Sequence, residues 1–175
     1  MRLIILGATG AGKGTQARFI SRILKLKHIE MGGLLRKEAR KNKLIKKFMA
    51  QGKLIPDNIT IRILNKEIKN KKSFVLDGFP RTLVQAKALR FKPDLVLFLN
   101  VGKDDIVKRL LLRKRFDDTK KNIEERYHLY LKKTLPVINY YKKKNVLVTI
   151  NGNPSIKNVS KSIKKVLMKF SKFDN

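Results

Sequence analysis

The sequence contains no cysteine and no tryptophan, and only 13 of its 175 residues are acidic. Without cysteine there is neither a disulfide framework nor a thiolate metal site, so the fold must rest on an ordinary hydrophobic core. The two histidines, His28 and His128, stand far apart in the chain, and no zinc is expected. No apolar stretch approaches the ~18 residues needed to cross a bilayer. The apolar opening, Leu3–Leu6 after Met1, lacks the basic, apolar and small-residue order of a signal peptide. A cytoplasmic protein without a membrane partner is expected. Aromatic residues amount to 7% and show no alternating platform on which nucleic-acid bases could stack.

What the chain has in excess is positive charge. Lysine and arginine number 43, and the formal net charge is +30. Such a surface attracts polyanions, so nucleic acid is an alternative partner. The excess is mostly lysine scattered along the chain, in a composition also rich in asparagine and isoleucine. That pattern reads as coding bias at surface positions, and a nucleic-acid role is not favoured. With 42% hydrophobic residues, residues 1–175 suffice for one domain with a real core, and a monomer is expected.

Apolar runs alternate with amphipathic stretches, as βαβ units around a parallel sheet require. Strands are predicted at Arg2–Leu6, Ser73–Asp77, Leu95–Val101 and Val146–Ile150, with a short one near His28–Met31. The first, third and fourth read as continuous apolar runs, which implies cover on both faces. Ala17, Ile20 and Leu24 share a helical face, as do Ile106, Leu110 and Arg113. The last helix is predicted to turn Ile156, Val159, Ile163, Val166, Leu167 and Phe170 inward, with lysines outside. The fold class is α/β, a five-stranded parallel sheet flanked by helices in three layers.

The first strand runs directly into Gly7-Ala8-Thr9-Gly10-Ala11-Gly12-Lys13-Gly14-Thr15-Gln16. A strand, a glycine-rich turn and a helix form the context of a phosphate-binding P-loop. Backbone N–H groups around Gly10, Ala11, Gly12, Gly14 and Thr15 can close on a polyphosphate at the helix N-terminus, and Lys13 adds a mobile charge. A nucleoside triphosphate is the expected ligand. A second signal is Phe74-Val75-Leu76-Asp77-Gly78-Phe79-Pro80-Arg81-Thr82. Asp77, at a strand's carboxyl end, can hold the water shell of a nucleotide-bound Mg²⁺, with the Thr15 hydroxyl as a second ligand. Arg81 offers a planar fork matched to phosphate oxygens.

These two motifs resemble the nucleoside monophosphate kinase family, and its adenylate kinase branch in particular, nearly end to end. Gly32-Gly33-Leu34-Leu35-Arg36 is similar to the segment that grips a monophosphate, and Gly52-Lys53-Leu54-Ile55-Pro56-Asp57 to the one that wraps the acceptor base. Arg109, Arg113, Arg115-Phe116-Asp117-Asp118, Arg126, Thr134-Leu135-Pro136 and Tyr140-Tyr141 follow in the family's order. Asn151-Gly152-Asn153-Pro154 is similar to the loop that meets the ATP adenine.

The resemblance implies Mg²⁺-dependent transfer of the ATP terminal phosphoryl group to AMP. Lys13, Arg81, Arg113, Arg115 and Arg126 would be catalytic. Gly10–Thr15, Arg109, Arg113 and Pro154 would hold ATP. Residues 30–59 would form an AMP-binding subdomain. AMP would meet Met31, Arg36, Lys53, Leu54, Ile55, Gly78, Phe79, Pro80, Arg81, Gln85, Arg115 and Arg126. Gln85 is expected to read the adenine edge with a donor and an acceptor together, favouring AMP over CMP or UMP. Asp117 and Asp118 would orient arginines.

Departures from the family pattern are Thr9 for proline, Met31 for a small hydroxyl residue, Gly33 for an acidic one and Leu112 for glycine. Only Lys114 separates Arg113 from Arg115, so residues 113–116 would be a minimal lid.

Overall fold

The computed structural model describes residues 1–113 and 118–171. Its centre is β1 (Arg2–Leu6), whose Leu3, Ile4, Ile5 and Leu6 are all buried. Successive side chains of a strand point to opposite faces, so this run can be apolar throughout only if both faces are covered. Leu3 and Ile5 pack with Ala17 and Ile20 of α1 (Lys13–Ile23) and with Val159, Ile163 and Leu167 of α9 (Ile156–Ser171). Ile4 and Leu6 face the other layer, with Leu64 of α4 (Asp57–Ile68) and with Val137, Ile138 and Tyr141 of α8 (Leu135–Lys143). The result is helix, sheet, helix.

The sheet is five-stranded and parallel throughout, in the order β2-β3-β1-β4-β5. The other strands are β2 (Lys27–Glu30), β3 (Phe74–Asp77), β4 (Leu95–Asn100) and β5 (Leu147–Asn151). This is the expected fold class, with strand ends moved by a residue or two. Met31 does not extend β2; it opens α2 (Met31–Ala39), with its side chain buried. The chain builds β2 and β3 on one side of β1, then β4 and β5 on the other. Connections therefore diverge above the carboxyl end of β1, where open α/β sheets bind ligands.

Around this frame lie α3 (Lys43–Ala50), α5 (Leu83–Lys87), α6 (Lys103–Arg113) and α7 (Lys120–Leu129). Residues 30–59, the expected AMP-binding subdomain, begin at β2's last residue and run through α2 and α3 into α4, which continues to Ile68. Between α7 and α8 the chain widens into a π-helical turn, Tyr130–Thr134. Only Leu135 separates it from Pro136, which lacks the N–H an α-helix would use there. Thr134, at the end of this turn, donates to the Arg81 carbonyl at 3.1 Å. Most of the expected lid, Lys114, Arg115 and Phe116, lies outside the described residues, as does Asp117.

One core assignment fails. Ile156 is 65% exposed, whereas Val159, Ile163 and Leu167 are buried. As the first residue of α9 it sits before the helix settles on the sheet, and its carbonyl accepts from Gln16 Nε2 at 3.2 Å. Urea unfolding checks the distinction. Ile163→Ala should cost about 2–5 kcal/mol, as deletion of a fully buried branched side chain does. Ile156→Ala should stay within about 0.5 kcal/mol, as exposed substitutions do.

Candidate active site

The carboxyl ends of β1, β2 and β3 open into a cleft of about 750 Å³. One end is the β1–α1 loop. Gly12 caps α1 with φ 89°, without a side-chain cap and without an acidic residue in the first turn. The positive end of the helix dipole is therefore left to an external anion. Gly10 is required on two counts: its φ is +93°, and an added Cβ would stand 2.8 Å from Leu110 Cγ. Gly14, where many P-loops carry a hydroxyl residue, has a neighbour-based reason. A Cβ there would lie 3.3 Å from Asp77 Oδ2, tighter than ordinary contact. The glycine keeps that carboxylate open.

Lys13 folds back into its own loop, donating to the Gly7 carbonyl at 2.9 Å and to the Ala8 carbonyl at 2.7 Å. Burial lowers its pKa to about 8; Arg81 and Arg113 push the same way, against Asp77 and Glu30. Arg81 is also pushed below its usual value by burial, with Arg126 and Arg113 adding to the effect and Asp77 opposing it. Both side chains thus stand in a field that anionic oxygens would relieve. Arg81 is fixed at both ends: Nε donates to the Gly78 carbonyl at 3.0 Å, and its backbone N–H donates to Gln85 Oε1 at 2.7 Å.

Carboxylates aim the remaining arginines. Asp118, whose side chain is almost fully buried, accepts from Arg113 Nε at 2.8 Å and Nη2 at 2.6 Å. The same carboxylate accepts from Arg126 Nη1 at 3.1 Å. One anion thus orients two guanidinium groups, matching the orienting role expected for Asp118. Glu30, the last residue of β2, accepts from Arg36 Nη2 at 2.6 Å. Arg109 donates from Nη2 to the carbonyls of Gly152 and Asn153, both at 3.0 Å, tying α6 to the loop that carries Pro154.

Asp77 suits a water-mediated Mg²⁺. It is 5% exposed, its oxygens accept no hydrogen bond among the described residues, and it faces the cradle beside Gly14. His28 Nε2 lies 3.6 Å from its Oδ2. Thr15 lines the same cleft.

The cleft gathers nearly every residue expected from sequence. Gly10–Thr15, Arg109, Arg113 and Pro154 line it. So do Met31, Arg36, Lys53, Leu54, Ile55, Asp77, Gly78, Phe79, Arg81, Gln85 and Arg126. Among the described residues Pro80 is the exception. Pro80 lines an adjoining recess of about 30 Å³, which shares Lys13, Gly78, Arg81 and Arg126 with the cleft and adds Leu129 and Tyr130. Arg115 lies outside the described residues.

The expected mode of Gln85 also changes. Its Nε2 donates to Asp57 Oδ1 at 2.7 Å and to Thr60 Oγ1 at 3.1 Å, so a free donor beside a free acceptor is not what it presents. Sequence reasoning missed Glu30, Gln16 and Thr60 as cleft residues. Glu30 carried a readable signal, a carboxylate at a strand's carboxyl end level with Asp77 in β3. The other two carried none.

A phosphate cradle, a buried carboxylate for a metal's water and a ring of aimed guanidinium groups, set on this sheet, define a P-loop nucleotide phosphotransferase. Residues 5–146 match the sequence profile of the family described as Adenylate kinase. The chain is 38% identical over 174 residues to the adenylate kinase of Prochlorococcus marinus (strain MIT 9301), covering 93% of this chain and 96% of that protein. It is 32% identical to that of Methanocella arvoryzae (strain DSM 22066 / NBRC 105507 / MRE50), covering 98% of this chain and 100% of that one. That alignment spans 216 positions against 175 residues here, so the Methanocella protein carries segments with no counterpart in this chain. Identity is 36% to the adenylate kinase of Buchnera aphidicola subsp. Cinara cedri (strain Cc), over 93% of this chain and 95% of that protein. The chain belongs to the adenylate kinase family.

The lowered pKa of Lys13 sets a pH dependence. Its charged form is disfavoured by burial and would be favoured by phosphate, so binding is strong while the lysine stays protonated and weakens as pH rises through about 8. Calorimetric titration with ATP between pH 6.5 and 9.5 should show that fall. In Lys13→Met, weak binding should lose the step.

Proposed function

We propose that the chain catalyses reversible transfer of the terminal phosphoryl group of ATP to AMP, giving two ADP, by direct in-line displacement. The observation that carries this reading is one cleft holding the P-loop together with Arg36, Arg81 and Gln85. Two phosphate-bearing ligands need two grips, and both grips open into the same space. Lys13 and the amides of Gly10–Thr15 hold the ATP phosphates, with Arg109 and Pro154 bordering its base. Arg36 and Arg81 hold the AMP phosphate. Met31, Lys53, Leu54, Ile55, Gly78 and Phe79 enclose its base, and Gln85 reads it.

Phosphoryl transfer spreads negative charge over oxygens that have no proton to lose, so catalysis is positioning and charge stabilisation, without a general base. Arg113 and Arg126, held by Asp118, and Arg81, held by Gly78, supply guanidinium groups already aimed, so little reorganisation is needed during reaction. Arg115 would complete the set from the 113–116 segment. A bound Mg²⁺ would neutralise phosphate charge, with Asp77 holding its water and Thr15 beside it. A cytoplasmic monomer remains the expected setting. No helix among the described residues is long and apolar enough to cross a membrane.

A coupled assay of ADP formation across AMP, CMP, UMP and GMP tests the assignment. AMP should give the highest kcat/KM; comparable turnover with CMP or UMP would reassign the acceptor. Arg81→Ala should keep the fold by circular dichroism yet lose about 10³–10⁵ in kcat, the usual worth of a guanidinium acting on phosphoryl-transfer charge. Near-normal kcat in that variant would remove Arg81 from the catalytic set.

A further inference from the structure

Gln85 is held more tightly than its role as a reader of the base requires, and the holding has a direction. The residue is 2% exposed, and each side-chain hydrogen bond it makes among the described residues has a fixed direction. On one side stands Asp57, whose carboxylate only accepts. Asp57 Oδ1 accepts a hydrogen bond from Gln85 Nε2 at 2.7 Å, and Asp57 Oδ2 accepts one from Thr82 Oγ1 at 3.0 Å. The second Nε2 proton goes to Thr60 Oγ1 at 3.1 Å, whose own hydroxyl proton is directed to the Asp57 carbonyl at 3.0 Å. On the other side stands the Arg81 backbone N–H, which can only donate and meets Oε1 at 2.7 Å. A flipped amide would set an amino group against that N–H and a carbonyl against the carboxylate. Both ends therefore reject the flip, and both amino protons are already in use. A carbonyl oxygen accepts two hydrogen bonds, so among the described residues one lone pair of Oε1 is the hydrogen-bonding capacity Gln85 retains.

We infer that Asp57, assisted by Thr60, is a positioning residue that locks Gln85 so that only its carbonyl oxygen is offered to the acceptor base. The acceptor must then present an exocyclic amine at that point, as a 6-aminopurine does and a 6-oxopurine does not. This rests on the reading of Gln85 as facing the acceptor base. It replaces two-way reading of the adenine edge by one-way reading, with selectivity coming from the acidic and hydroxyl residues behind the glutamine. A buried polar mismatch amounts to roughly 5–150-fold in an equilibrium.

The experiment measures kcat and KM for AMP and for inosine monophosphate, its 6-oxo counterpart, in four variants beside the parent protein. The parent should prefer AMP. Asp57→Asn, isosteric but able to donate, should raise KM for AMP by roughly 5–150-fold with kcat changed little, and should narrow the preference over inosine monophosphate. Asp57→Asn combined with Gln85→Glu should restore the preference, because the introduced asparagine donates and the introduced glutamate again offers only acceptors. Thr60→Val returns one amino proton to Gln85 and should narrow the same preference without touching Asp57, which keeps the test readable if Asp57→Asn does not fold. An unchanged preference in both Asp57→Asn and Thr60→Val, while Gln85→Ala raises KM for AMP, would overturn the lock and leave Gln85 as the reader. Unchanged KM for AMP in Gln85→Ala would overturn the reading of Gln85 itself, and the lock with it.

Discussion

Everything about this site depends on holding like charges together before the ligand arrives. Lys13, Arg36, Arg81, Arg113 and Arg126 share one cleft, and burial makes Lys13 and Arg81 costlier to keep charged there than on the surface. The chain meets that constraint with very few anions. Asp118 holds two arginines, Glu30 holds one, and Asp77 offsets Lys13 and Arg81 without a direct hydrogen bond to either. Each carboxylate is placed by a rigid element or its edge: Glu30 and Asp77 end adjacent strands, and Asp118 precedes α7. The residual positive field is what the phosphates of the two proposed nucleotides would neutralise.

The fold supplies this arrangement through one topological fact. Because β1 has β3 on one side and β4 on the other, the loops leaving β1, β2 and β3 all surround the same space, and the loop after β5 closes it. The continuous apolar strands are needed for this, since only a sheet buried on both faces brings so many strand ends to one edge. Helix N-termini do the rest. Gly12 leaves α1 uncapped toward the cleft, while Thr82 and Thr119 cap α5 and α7 with their own hydroxyls. An anion is thus invited at the start of α1 and made unnecessary at those of α5 and α7.

Sequence made the frame legible because it is written in short-range patterns. Apolar runs marked the strands, the glycine spacing marked the phosphate loop, and Asp77 with Arg81 could be read from a strand and its turn. The cluster of arginines followed from motif positions. What escaped was written in contacts between distant residues. Gln85 meets Asp57 and Thr60 across 28 and 25 positions, so the direction of its amide has no local signature. Ile156 fits the apolar period of α9 and is exposed, because periodicity does not say where a helix first touches the sheet. Pro80 belongs to the motif and lines the adjoining recess, because a turn can carry neighbouring residues to different sides.

In the proposed reaction both nucleotides share one cleft, and its arginines bind the phosphate chain that joins them. A ligand in which two adenosines are linked by five phosphates occupies both halves at once and tests this by calorimetry. One molecule should bind per chain, at least ~10²-fold more tightly than ATP or AMP alone, as ligands that span a transition state do. Arg81→Ala should remove most of that advantage while leaving ATP affinity nearly unchanged. Two molecules bound per chain, or an affinity no better than that of ATP, would contradict a single shared cleft.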